Sequence, residues 1–89
     1  MDWFEGYIAH YPGVQGGGPV IKGTRTPVIA VVALHATYAG DMAAMLSALP
    51  HVTETQVNAA LAYYEHHRAE VDREEQRHER AMKALLAAS

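Results

Sequence analysis

The sequence contains no cysteine, which excludes disulfide bridges and thiolate metal sites. It has no apolar run that approaches the length of a membrane-spanning helix. The N-terminal stretch MDWFEGYIAHYPG has neither a basic start nor a long apolar centre, so it differs from a signal peptide. We therefore predict a cytoplasmic protein with no membrane contact.

Positive charge is also scarce, and the formal net charge is −3. Nucleic-acid-binding domains usually carry an excess of Lys and Arg on one face. Only Lys22 and Arg25 supply cations before Arg68. Any contact with DNA must therefore come from a local patch, a dimer or a larger complex.

The 89 residues are 49% hydrophobic and 19% charged, which is typical of one globular domain. Such a short chain buries only about 60–65% of the surface of its extended form. Several aromatic residues crowd the N-terminus, and the segment after residue 27 is almost wholly apolar. We expect a homodimer or a higher homo-oligomer to bury the excess.

The segment GGGPVIKGTRTPV, residues 16–28, carries the clearest local signals. Residues 19–22 favour a short strand, which can pair with residues 7–9 as a β-hairpin. Gly23 permits a turn, and Thr26 before Pro27 is typical of a helix start, with the Thr hydroxyl as cap. Neither GxxxxGK[ST] nor GxGxxG is present, so a phosphate-binding loop is disfavoured.

Three helices are predicted after this segment. The first, over residues 27–38, is apolar on most sides and ends at Gly40. Asp41 can cap a short second helix that Pro50 ends. The pattern Thr-x-x-Gln at residues 53–56 forms a capping box for the third helix. Since no Gly or Pro follows, one helix is expected to reach the C-terminus.

The composition changes within this third helix, because residues 65–80 contain only two apolar side chains. We therefore predict a strand-and-helix core over residues 1–64 and a charged helical arm over residues 65–89. Near the end, three larger apolar residues return: Met82, Leu85 and Leu86. The arm is either a solvated tail or a segment that docks on a partner, and these apolar residues favour the partner.

Histidines, serines and carboxylates are the candidate side chains for catalysis or metal binding. The six histidines are His10, His35, His51, His66, His67 and His78. His66 and Glu70 are four residues apart and can face one metal ion, but no HExxH motif is present, which favours ordinary surface histidines. Ser47 and Ser89 lack a GxSxG context, and Glu74 and Glu75 point apart on a helix. We predict no catalytic residues, no metal, no cofactor and no enzymatic activity.

The second helix, the turn at residues 50–52 and the capped third helix are the expected parts of a helix-turn-helix. Polar side chains at the start of the third helix can reach bases or phosphates, and Lys22 and Arg25 can reach phosphates. The predicted DNA-binding residues are Lys22, Arg25, Thr53, Thr55, Gln56 and Asn58. The same polar residues suit any helix N-terminus, so DNA binding and simple packing explain them equally well.

The pattern G-x-PVI-x-GTR-x-PV, followed by the Pro50 region and the AALAY run at residues 59–63, resembles the family called domain of unknown function 433. Members are also described as VapB-type antitoxins. The residues that match the first pattern are Gly17, Pro19, Val20, Gly23, Thr24, Arg25, Pro27 and Val28. The resemblance covers residues 14–72, and Thr26 replaces a more usual aliphatic residue.

This resemblance implies a mainly α fold: a small helix-turn-helix core, homeodomain-like or winged, with a short N-terminal β-hairpin and a long C-terminal helix. It implies an antitoxin that binds operator DNA as a dimer while its arm inhibits a PIN-like ribonuclease toxin. Because PIN nucleases hold metal with acidic residues, arginines of the arm are candidates for the toxin contact. The predicted partner-binding residues are Arg73, Arg77, Arg80, Met82, Leu85 and Leu86. The alternative is a protein-interaction module that does not bind DNA, which the negative charge favours.

Overall fold

The computed structural model describes residues 2–14 and 17–88, with the backbone alone for residues 74, 78, 81, 82 and 88. A 3₁₀ turn at Trp3–Tyr7 precedes strands β1 (Ile8–His10) and β2 (Pro19–Ile21). Four helices follow: α1 (Val28–Thr37), α2 (Met42–Ala48), α3 (Glu54–His66) and α4 (Arg68–Ala88). The prediction of a mainly helical chain with a small N-terminal hairpin is confirmed.

The hairpin is antiparallel and pairs Ala9 with Val20. The Lys22 N–H extends the ladder by donating to the Tyr7 carbonyl over 2.7 Å. Gly23 then turns the chain with φ +82°, a value that L side chains rarely adopt. Tyr7, predicted as the first residue of a strand, instead ends the 3₁₀ turn, and this turn buries Phe4 against α3.

Helix α1 begins where it was predicted, but the predicted cap is wrong. Pro27 occupies the N-cap position and no side chain caps the helix. The Thr26 hydroxyl instead lies 2.7 Å from Nε2 of His51, which is 25 residues away in the chain. A long-range partner has therefore replaced the local capping bond. At the other end, the Gly40 N–H closes the helix by donating to the His35 carbonyl over 2.9 Å.

The caps of α2 and α3 are those that the sequence predicted. The Asp41 carboxylate accepts a hydrogen bond from the Ala44 N–H at 3.2 Å. Thr53 and Gln56 form the complete capping box: the Thr hydroxyl accepts from the Gln N–H at 3.2 Å, and the Gln side chain accepts from the Thr N–H at 2.8 Å. The start of α3 is therefore locked by its own sequence.

The prediction of one uninterrupted helix from residue 54 is wrong, because the chain breaks at His67 (φ −133°, ψ 39°). This break redirects α4 so that its first turn packs on the rest of the molecule. Val71 is fully buried there, beyond the predicted core boundary at residue 64. From residue 73 onwards every described side chain is exposed. We call the part up to residue 72 the head, and the rest of α4 the arm.

One apolar core holds the head together, and α1 and α3, which pack side by side, supply half of its buried members. Its buried members are Phe4, Ile21, Val28, Val31, Met45, Leu49, Val52, Val57, Ala59, Ala60, Tyr63 and Val71. In the part of the chain that the structure describes, no helix combines the length and the apolar character needed to cross a membrane.

Candidate functional site

The loop between β2 and α1, residues 22–26, carries the two early cations, and we call it the cationic loop. Its shape is fixed by hydrogen bonds: the Ile21 N–H donates to the Thr26 carbonyl (2.9 Å), and the Thr26 N–H donates to the Thr24 hydroxyl (3.0 Å). The Gly23 N–H also donates to the Tyr11 hydroxyl over 3.0 Å. With the backbone held in this way, the side chains of residues 22 and 25 are exposed.

A side-chain contact joins the cationic loop to the turn that precedes α3. It is the 2.7 Å hydrogen bond between the Thr26 hydroxyl and Nε2 of His51, and Thr26 is only 8% exposed. We call it the loop–turn contact. Because it ties two short segments of otherwise irregular backbone, it fixes the cations of the loop relative to the start of α3.

The start of α3 presents the other predicted DNA-binding residues. Thr53, Thr55 and Asn58 are exposed, and Gln56 is half-buried. The side-chain oxygens of Thr53 and Gln56 already accept the two hydrogen bonds of the capping box, so both side chains stabilise the helix start. The amide nitrogen of Gln56 takes no part in the box. Thr55 and Asn58 are therefore the better placed of the four, and their role in DNA binding stays a prediction.

The predicted partner-binding residues lie along the arm. Arg73, Arg77 and Arg80 follow one another at intervals of four and three, so they share one face of α4, and all three are exposed. Leu85 and Leu86 are 67% and 72% exposed. The side chain of Met82, also predicted to bind the partner, lies outside the described residues. Partner binding at these positions stays a prediction.

Sequence reasoning missed a polar cluster where α4 leaves α3. The Glu70 carboxylate accepts from the Tyr63 hydroxyl, 3.0 Å from each of its oxygens, and lies 2.9 Å from Nε2 of His10. His67 stacks on the Tyr63 ring at 4.2 Å, and its Nε2 lies 3.2 Å from Glu5. These five residues form the junction cluster. Two of its contacts join residues 60 and 62 positions apart, so no local motif could reveal them.

The electrostatics of the junction cluster point to a structural role. Burial raises the pKa of Tyr63, as do its hydrogen bond to Glu70 and the nearby negative charges, so the phenol stays protonated and donates. Burial alone would raise the pKa of Glu70, but hydrogen bonds from His10 and Tyr63 and the charge of His67 outweigh it and lower that pKa. A charged acceptor and a neutral donor hold the first turn of α4 on the head.

A second anchor lies on the same turn, where the Tyr64 hydroxyl donates to the Asp72 carboxylate over 3.0 Å. This bond is the main cause that raises the pKa of Tyr64, followed by burial and the charge of Asp72. Glu70 and Asp72 of α4 thus accept hydrogen bonds from two consecutive tyrosines of α3. Val71, which lies between them in the sequence, is buried.

Within the described residues, no group of three or more His, Asp and Glu side chains converges on a point where a metal could bind. The pairing of His66 with Glu70 considered above is not formed: Nδ1 of His66 lies 3.0 Å from the Ala62 carbonyl, and Glu70 turns to Tyr63. A shallow groove of about 290 Å³ lies between α1 and α3, lined by Val32, His35, Leu61, Ala62, Tyr64 and Glu65.

Comparison with known proteins identifies the family. The profile described as "Protein of unknown function (DUF433)" matches residues 8–64. The crystal structure of a DUF433 member from Anabaena variabilis is 37% identical in sequence and superposes with a TM-score of 0.69, covering 79% of this chain and 68% of the other. The comparison with curated proteins found no match. The matched region contains the cationic loop and the start of α3, and the chain belongs to the DUF433 family.

Proposed function

We propose that this protein is the antitoxin of a type II toxin–antitoxin pair. In this proposal the head binds operator DNA as a dimer through a helix-turn-helix, and the arm inhibits a PIN-like ribonuclease. The observation that carries the proposal is the loop–turn contact, because it joins two exposed cations to the exposed polar start of a capped helix. A helix-turn-helix reads DNA with the N-terminal residues of its second helix, which here is α3.

Each side chain then has a role that follows from its chemistry. Asn58 and the amide nitrogen of Gln56 can hydrogen-bond to base edges, adenine in particular, and Thr55 can contact a thymine methyl group or a phosphate. Lys22 and Arg25, on the loop beside the helix start, can contact phosphates. Glu54 would repel phosphates, so the first turn must face a base edge or solvent at that position.

The small number of cations sets the expected salt dependence of DNA binding. With two phosphate contacts per chain, a dimer makes four, and log Kobs should fall against log salt with a slope of about −3.6. Such a slope is modest for a protein that binds DNA. We therefore expect DNA binding to be detected most easily at low salt or with the partner nuclease bound.

The direct test is fluorescence anisotropy with labelled DNA from upstream of the protein's own gene. The salt concentration is varied from about 50 to 200 mM, a range over which the affinity of DNA-binding proteins typically falls steeply. Replacing Arg25 with Ala should weaken binding to all sequences and reduce the slope by about 1 per chain, whereas Asn58→Ala should cost about 1–3 kcal/mol at one base position only. Lys83→Ala, at the far end of the arm, is the matched control. Absence of binding at low salt, with and without the nuclease, would contradict the proposal.

The arm is tested separately by removing residues 73–89. This cut retains Glu70, Val71 and Asp72, which anchor α4 to the head. We expect the shortened chain to fold and to bind DNA but to lose the nuclease encoded by the neighbouring reading frame. If the shortened chain still captured that nuclease with unchanged affinity, the arm would have no inhibitory role.

The alternative is a protein-interaction module that does not bind DNA. It is favoured by the net charge of −3 and by Trp3, which is 59% exposed beside Tyr7, a large aromatic surface for a small domain. Aromatic side chains are enriched where proteins contact one another. The anisotropy experiment separates the two functions, since this alternative predicts no salt-dependent binding to any DNA.

A further inference from the structure

His51 holds an unusual position on the surface that we propose for DNA. It lies in the turn before α3, it is exposed, and its Nε2 is fixed 2.7 Å from the Thr26 hydroxyl. Thr26 in turn follows Arg25 directly in the cationic loop. An ionisable ring therefore stands between the two elements to which the DNA contacts are assigned.

The loop–turn contact can persist in both charge states of the ring. A hydroxyl donates and accepts, so Thr26 can donate to the neutral imidazole nitrogen or accept from the protonated one. A Val at position 26 would have a similar shape but could neither donate nor accept this hydrogen bond. Protonation of His51 therefore adds a positive charge to the surface without moving the loop.

Among the described residues, the side chain of His51 hydrogen-bonds to Thr26 of the cationic loop, and no ion pair joins it to a carboxylate. Arg25, which precedes Thr26 on the loop, and Glu54, three residues after His51 in the first turn of α3, carry opposite charges. A phosphate placed here would add the negative charge that favours the protonated ring.

We propose that His51 is a third cationic contact to DNA in each chain and that DNA binding is coupled to its protonation. This inference rests on the DNA-binding function proposed above. DNA binding should then be tighter at pH 6 than at pH 8, and uptake of one proton per chain limits the gain to about tenfold per pH unit for each chain.

The inference also predicts a change in salt dependence. A dimer with two cations per chain makes four phosphate contacts, and a protonated His51 in each chain raises this to six. The slope of log Kobs against log salt should therefore steepen from about −3.6 at high pH to about −5.4 at low pH. A change of the slope distinguishes a new ionic contact from a general effect of pH on the fold.

The test is anisotropy with the full chain and the labelled upstream DNA at pH 8 and pH 6, with salt titrations at each pH. The wild-type protein should bind more tightly and with a steeper slope at pH 6. His51→Gln places its amide near the position of Nε2, so it can still hydrogen-bond to Thr26 but cannot be charged, and it should lose both responses. His35→Gln, at an exposed histidine on α1, is the matched control and should retain them.

A second measurement needs no variant. Calorimetry of wild-type binding at pH 6.5, repeated in buffers of different ionisation enthalpy, should show net proton uptake when DNA is added. Wild-type binding without pH dependence or proton uptake, or an unchanged pH response in His51→Gln, would overturn the inference while leaving the DNA-binding function intact. Absence of wild-type binding to DNA at either pH in low salt would overturn both.

Discussion

Val71 is fully buried although it lies on the first turns of the charged helix α4. We expect Val71→Ala to destabilise the whole head, because it removes two methyl groups from the core. Their transfer to water accounts for about 1.6 kcal/mol, at about 0.8 kcal/mol for each group. The cavity that remains adds to this cost, so the expected loss is about 2 kcal/mol.

A loss of this size is large for a small domain, whose free energy of unfolding is typically about 5–15 kcal/mol. For a domain of this length, each 1 kcal/mol shifts Tm by about 4–8 °C. The variant should therefore melt about 8–16 °C below the wild-type protein. Urea unfolding followed by far-UV circular dichroism measures the same loss at constant temperature.

The matched control is Leu85→Ala, at a position of α4 that is 67% exposed. A substitution at such a position usually changes stability by less than about 0.5 kcal/mol. If Val71→Ala were no more destabilising than Leu85→Ala, the first turns of α4 would not belong to the core, and the boundary predicted at residue 64 would stand.

Three further expectations concern single side chains. The pKa of Glu70 is lowered in the folded protein, so the stability that its charged form contributes is complete above the ordinary pKa of 4.5 and is lost as the pH falls through the lower folded pKa. In a plot of the urea midpoint against pH, Glu70→Gln should therefore reduce the fall of the midpoint at acidic pH. An unchanged fall would refute this. Thr53→Ala breaks the capping box and should cost about 1 kcal/mol in urea unfolding, against no change if the box were idle. Gly23→Ala meets no atom within 4 Å but forces a side chain to φ +82°, so it should cost about 1 kcal/mol, whereas Gly6→Ala, at an ordinary φ, should cost less.

The sequence alone predicted the elements whose causes are local. Asp41 and the Thr53–Gln56 pair cap the helices that follow them, since a cap is made by residues three positions apart. Gly23 turns the chain where its missing side chain permits φ +82°. The hairpin and the mainly helical character follow from the same short-range signals. The sequence also shows the family, whose profile matches residues 8–64.

The break at His67 had no comparable signal, because no Gly or Pro marks it. It occurs where tertiary contacts compensate for the lost helical geometry: His67 stacks on Tyr63, and Glu70 binds Tyr63 and His10. The same competition removed Thr26 from its predicted role as a cap. Its hydroxyl could satisfy a local N–H or a distant imidazole, and the position of His51 decided between them.

Local pattern thus determined where the hairpin strands and helices α1, α2 and α3 begin, the caps of α2 and α3, and the motif by which the family is recognised, since each of these depends on a few neighbouring residues. Tertiary structure alone decided where the core ends, which side chains form the junction cluster and which segment lies beside the start of α3. Those outcomes depend on contacts between residues up to 62 positions apart, and no spacing along the chain encodes them.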